Sequence, residues 1–168
     1  MTVSRLLAYG ALLEGKHVQA FPEFGPERTG APILGFTRIS DKPIEIHCQV
    51  YAPDSVVVLD PTLLKSIDVT DGLAKGGHLV VNSEKKPEEL REGLKRTDVV
   101  CHSVDATRIA LDVLGRPISN TAMLGALIRV EPLVKIESVV RALQERFPGP
   151  LADKNAEAIR RAHEQVTM

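Results

Sequence analysis

The chain has 168 residues, 43% of them hydrophobic and 26% charged, with a formal net charge of −1. That length suits one domain with a real core, and the near-zero charge excludes a polybasic hold on nucleic acid or on an acidic membrane surface. No apolar run approaches the ~20 residues that a bilayer span needs.

The two cysteines, Cys48 and Cys101, lie far apart and form no CxxC pair. Disulfide scaffolds are denser than this, so a reducing cytoplasm is the expected compartment. The short basic runs Lys85-Lys86 and Arg160-Arg161 stand among carboxylates and read as solvated faces. The N-terminus carries no signal-peptide pattern.

Val3, Leu6, Leu7, Gly10 and Ala11 recur at helical spacing, and Gly15 stands where a C-terminal cap would fall. A short strand is expected over 18–21. Residues 33–39 and 44–51 alternate and are separated by Asp41-Lys42-Pro43, which predicts an antiparallel hairpin. Val56-Val57-Val58-Leu59 is a continuous apolar run, the pattern of a parallel strand buried on both faces.

Helical patterning returns over 63–73 and stops at Gly76-Gly77. A buried strand follows over 78–81, then a charged helix over 87–95 and a third strand beginning at Val99-Val100. A helix over 107–114 is closed by Gly115 and Pro117. The last third predicts helices over 122–130, 135–147 and 151–166, with Asn120-Thr121 offering an N-cap. Alternation of strand and helix argues an α/β fold with a mostly parallel sheet.

Between the first strand and the next lies Phe21-Pro-Glu-Phe-Gly-Pro-Glu-Arg-Thr-Gly-Ala-Pro32, which the rest of the chain is arranged around. Proline fixes φ and glycine permits positive φ, so this is a shaped loop. Glu23, Glu27 and Arg28 are its candidate functional residues. An arginine beside carboxylates can fix the loop through paired hydrogen bonds, face a partner subunit, or reach a ligand phosphate. Phe21 and Phe24 concentrate aromatic surface in a chain with four Phe, two Tyr and no Trp, which suits core or interface anchors.

The segments "GKHVQAFPEFGPERTGAP" (Gly15–Pro32), "VVVLDPTLL" (Val56–Leu64), "DATRIAL" (Asp105–Leu111), "PISNTAMLGAL" (Pro117–Leu127) and "ERFPG…NAEAIRRAHE" (Glu145–Glu164) occur in that order. Together they resemble the gamma subunit of the 2-oxoacid:ferredoxin oxidoreductases, of which pyruvate:ferredoxin oxidoreductase is the best-known member. The resemblance implies a single domain over 1–168 with a Rossmann-like three-layer α/β sandwich, a mixed and mostly parallel sheet, a β-hairpin and a helical C-terminal third.

The resemblance further implies a non-catalytic subunit, inactive alone. Its partners would be alpha, beta and delta subunits holding thiamine diphosphate, Mg and iron–sulfur clusters. Electrons would pass to ferredoxin and the acyl group to coenzyme A. Glu23, Phe24, Glu27, Arg28, Thr29, Asn120 and Thr121 become candidates for an interface or for the coenzyme A cleft. The family pattern also has a strand and a G-R-G-G-Q-G turn before the first helix. Here 2–13 corresponds to that helix and the sequence holds no such turn, so no glycine-loop residue is assigned. Without that strand, neighbouring strands would keep unpaired backbone groups.

No catalytic constellation is visible: no zinc pattern, P-loop, GxSxG or complete dinucleotide fingerprint occurs. His17, His47, His78, His102 and His163 are scattered and read as structural or surface residues. Asp60 and Asp105 stand at strand ends, where open α/β sheets place their crevice, though a turn or cap role suits each. Besides the gamma subunit, two readings remain: a free-standing Rossmann-like module binding coenzyme A or a nucleotide, and the small subunit of an indolepyruvate oxidoreductase. A purely structural interaction subunit is a further class.

Overall fold

The computed structural model describes residues 2–22, 33–147 and 149–168. Helix α1 (Thr2–Leu13) opens the chain and buries Leu6, Leu7 and Ala11, the stripe its spacing predicts. Gly10 lets it approach the neighbouring helix closely, since a Cβ there would stand 2.8 Å from Val139 Cγ2. Gly15, at φ 79°, turns the chain into strand β1 (His17–Pro22).

Strand β1 pairs antiparallel with β2 (Gly35–Ser40), from His17 opposite Ser40 to Pro22 opposite Gly35. The hairpin therefore spans the proline–glycine loop. This corrects the expected pairing of 33–39 with 44–51. Residues 44–51 form no strand, because their alternation has no face to bury: Ile46 is 58% exposed and Cys48 lies at the surface. Their polar tie to the hairpin is Arg38, whose Nη2 donates to the Gln49 carbonyl at 2.7 Å.

Strands β3 (Ser55–Val58), β4 (His78–Asn82) and β5 (Val100–Val104) form a parallel sheet in that order. Among the described residues, the hairpin and the parallel sheet are two separate sheets. Leu79, Val80 and Val81 have no exposure, as the apolar run predicts for a central strand.

Helix α2 (Leu63–Ser66) is much shorter than the expected 63–73. Asp68 Oδ1 accepts from both the backbone N–H and the hydroxyl of Thr70, and Gly72 follows at φ 72°. This side-chain turn competes with helix continuation. Helix α3 (Pro87–Arg91) likewise stops short of 95, with Gly93 just beyond it.

The last third is helical as expected: α4 (Ala106–Leu114), α5 (Asn120–Val130), α6 (Ile136–Arg146) and α7 (Pro150–Gln165). Helix α5 is buried along almost its whole length and packs on α7. At Gly125 a Cβ would overlap the Ile159 carbonyl, so only glycine permits this approach. After α7, Thr167 exchanges two backbone hydrogen bonds with Ser103, at 2.8 and 3.2 Å, beside β5.

Two apolar clusters sit on the parallel sheet. The larger joins Val80 and Val104 to α1, α4, α5, α6 and α7, with Val18 and Ile39 of the hairpin packed against it. The smaller joins Val58, Leu79, Val81 and Cys101 to Leu90 of α3. The sheet is thus covered by helices on both faces, and its strand ends remain as places for polar chemistry.

Candidate functional site

The carboxyl ends of β3, β4 and β5 converge on Asn82, which is 6% exposed. Its Nδ2 donates to the Leu59 carbonyl at 2.9 Å and to Thr107 Oγ1 at 2.9 Å, with Ser119 Oγ at 3.4 Å. Its Oδ1 accepts from the Thr107 backbone N–H at 3.2 Å. One amide therefore ties the end of β3 to the starts of α4 and α5. Sequence reading marks Asn82 only as the end of a strand; a polar amide closing a buried apolar run is the available signal.

The aspartates at the same end do local work. Asp60 Oδ1 accepts from the Thr62 hydroxyl at 2.7 Å and its backbone N–H at 2.9 Å. The hydroxyl bond, then the backbone bond, holds its carboxyl below the ordinary value. Asp105 caps α4, accepting from the Arg108 N–H at 2.9 Å. Neither reaches into an open cleft for a ligand.

Helix α5 begins beside Asn82, with Ser119 at the cap position rather than the expected Asn120-Thr121. Asn120 Oδ1 accepts from the adjacent Thr121 N–H at 2.7 Å. Thr121 is 3% exposed, and its hydroxyl donates to Asn155 Oδ1 at 2.8 Å, so its side chain joins α5 to α7. Asn120 is half-buried at the start of α5.

Glu23, Phe24, Glu27, Arg28 and Thr29 lie outside the described residues. The base of their loop is defined. Phe21 and Phe36 pair with ring centroids 5.5 Å apart, and the Arg38 guanidinium lies 5.6 Å from the Phe21 centroid. Arg38 Nη1 also donates to Gln19 Oε1 at 3.1 Å.

The opposite end of the parallel sheet holds a group that sequence reading left scattered. His78 Nδ1 and His102 Nε2 are 3.0 Å apart, with ring centroids at 5.2 Å. Glu131, just past α5, accepts from the Ser55 hydroxyl at the start of β3. Burial, then the nearby His78 and Arg91, lowers the His102 pKa to about 4. Burial raises that of Glu131, against the opposing influence of His78.

An open groove of about 360 Å³ lies between the ends of α1, α5 and α7, lined by Glu14, Lys16, Ile128, Pro132, Lys135 and His163 among others. Its charges engage one another or neighbours: Glu14 accepts from the Lys135 N–H at 2.7 Å, and Lys16 stands 3.9 Å from Asp41.

The residues do not fit an iron–sulfur cluster, which takes about four thiolates. The chain has two cysteines, one exposed and one buried on β5. Among the described residues, no group of three or more His, Cys, Asp or Glu is placed to hold a metal ion. No helix of the described residues is long and apolar enough to cross a membrane.

Fold and site together define an α/β domain whose polar groups at the carboxyl end of the parallel sheet bond one another. The pattern of the family described as pyruvate ferredoxin/flavodoxin oxidoreductase matches residues 1–165. The pyruvate/ketoisovalerate oxidoreductases common subunit gamma of Thermococcus litoralis is 54% identical over 168 residues, covering 100% of this chain and 91% of that one. The crystal structure of pyruvate oxidoreductase subunit PORC from Thermotoga maritima superposes with a TM-score of 0.87 at 42% identity, covering 99% of this chain and 89% of that one. A 2-oxoglutarate:ferredoxin oxidoreductase from Magnetococcus marinus shares the fold alone, at TM-score 0.77 and 17% identity, with 98% of this chain matched to 28% of that one. The chain belongs to the pyruvate ferredoxin/flavodoxin oxidoreductase family, as a gamma-type subunit.

Proposed function

We propose that this chain is the gamma subunit of a thiamine-dependent oxidoreductase that decarboxylates a 2-oxoacid, with pyruvate as the first candidate, and passes electrons to ferredoxin. The observation that carries this reading is 54% identity along the whole chain to a common gamma subunit of pyruvate and ketoisovalerate oxidoreductases. That relative's name joins two 2-oxoacids, so the gamma subunit is shared and the acid is selected elsewhere in the assembly.

On this reading the chain is a scaffold. Thiamine diphosphate, Mg and the iron–sulfur clusters belong to alpha, beta and delta partners, and coenzyme A is a substrate of the whole complex. The polar groups at the carboxyl end of the sheet support the scaffold role, because they satisfy one another. Glu23, Phe24, Glu27, Arg28 and Thr29 supply the partner contact or the rim of the coenzyme A cleft. Asn120 stands at the start of α5, and Thr121 fixes the helix that carries it. Two cysteines without a disulfide suit a cytoplasmic complex.

Purifying the native protein through this chain, without oxygen, tests the reading. Thiamine-binding and cluster-binding chains are expected to accompany it. Isolation without a thiamine-binding chain, together with tight binding of coenzyme A or a nucleotide by the free chain, would support the free-standing module instead. In the same assay Arg28→Ala is expected to weaken subunit recovery several-fold. Unchanged assembly and turnover would reduce the loop to a structural corner.

A further inference from the structure

The amino end of the parallel sheet is closed by a histidine pair. His78 is the first residue of β4, and His102 is the third of β5, two positions past the residue that faces His78. The diagonal brings both rings to the face shared with Val80 and Val104, towards α5 and α7. His102 is 4% exposed and accepts or donates to His78 through Nε2 at 3.0 Å. Its Nδ1 is buried and has no hydrogen-bond partner among the described residues.

A bond between two ring nitrogens requires one N–H and one lone pair. It exists only while at least one ring is neutral. A proton added to the buried nitrogen of His102 meets no acceptor there, and it stands beside His78 and near Arg91. A buried polar atom without a partner is costly, and a buried charge more so.

We propose that the His78–His102 pair is a proton-sensitive latch that fastens the starts of β4 and β5 while at least one ring is neutral and releases that end of the sheet when both rings are protonated. The backbone bonds that would loosen are known: the His78 N–H to the Asp54 carbonyl at 2.9 Å, and the Val100 N–H to the Gly77 carbonyl at 2.9 Å. The charged and titratable groups that act on the pair are Arg91 of α3, which acts on His102, and Glu131 after α5, which interacts with His78; Asp54 before β3 acts in turn on Glu131.

The sign follows from the shift. The His102 pKa is lowered from 6.5 to about 4, so the unfolded chain binds the proton first as pH falls. The stability contributed by the neutral ring is complete above pH 6.5 and is lost progressively down to about pH 4. That shift alone changes the folding equilibrium by up to about 300-fold. Glu131 acts oppositely: its raised pKa lets the folded protein take up a proton first, which adds stability on acidification.

The test follows the ring resonances of the full-length chain by NMR from pH 7.5 to 3.5, with amide-exchange protection factors for His78 and Val100 at pH 7 and pH 4.5. The His102 ring is expected to titrate far below the ordinary histidine range, and protection at both amides to fall at least tenfold at pH 4.5. In His78→Gln, which removes the facing imidazole, the His102 titration should move upward. His102→Asn should flatten the acid loss of stability. A second variant, His102→Gln, serves if that one fails to fold. Titration of His102 near 6.5, or unchanged protection factors across the range, would overturn the latch.

Discussion

At the carboxyl end of the parallel sheet, the Asn82 amide nitrogen reaches the end of β3 and the starts of α4 and α5, and its oxygen also holds α4. At the amino end, His102 keeps one ring nitrogen buried and, among the described residues, unpartnered. The Asn82 amide is neutral and satisfied, so its own bonds do not titrate. The amino end is titratable and under-satisfied, so it is the place where acidity acts on the fold. Helix α5 runs between the two: Ser119 stands beside Asn82, and Glu131 beside Ser55. Its 11 residues span about 16 Å.

The largest expected effect breaks both ends at once. Gly125 sits midway along α5, where a side chain would run into the Ile159 backbone. Gly125→Ala is expected to cost about 3 kcal/mol or more, because main chain rather than a pliable side chain must move. Urea unfolding at pH 7 and at pH 5 should show the same loss. A loss confined to one pH would mean that α5 does not couple the two ends.

Asn82→Ala isolates the carboxyl end. It strands the Thr107 N–H in a buried site, and the expected loss is about 2 kcal/mol, independent of pH between 5 and 8. The acid sensitivity attributed to His102 should persist unchanged in this variant. If removing Asn82 also abolished the acid loss, the two ends would not be separate devices.

The smallest effect sharpens the placement of Thr121. Thr121→Val keeps the shape and removes the hydroxyl that donates to Asn155. About 1 kcal/mol of stability should be lost in thermal unfolding, with no change in recovery of partner subunits. A defect in assembly without a loss of stability would move Thr121 from the interior to the interface.

Helices α4, α6 and α7 were legible because a one-sided apolar stripe at helical spacing has one stable solution. So was β4, whose apolar run needs cover on both faces. Residues 44–51 misled because alternation records a possible strand, whereas pairing depends on a face to bury. The shortening of 63–73 turns on Asp68 and Thr70, where a side-chain turn outcompeted the helix. The histidine pair was invisible because it depends on the register of two parallel strands separated by α3. No local spacing encodes that register. The proline–glycine loop was the clearest signal of family, yet Glu23, Glu27 and Arg28 fall outside the described residues. The structure adds that the loop joins the paired strands β1 and β2.

The role proposed for this chain is that of a necessary, non-catalytic subunit. The direct measurement is 2-oxoacid-dependent reduction of ferredoxin, with coenzyme A, by the complex reassembled from its separated chains. Omitting this chain should abolish turnover and adding it back should restore it, while the chain alone shows none. Full turnover by the remaining subunits in its absence would contradict the account.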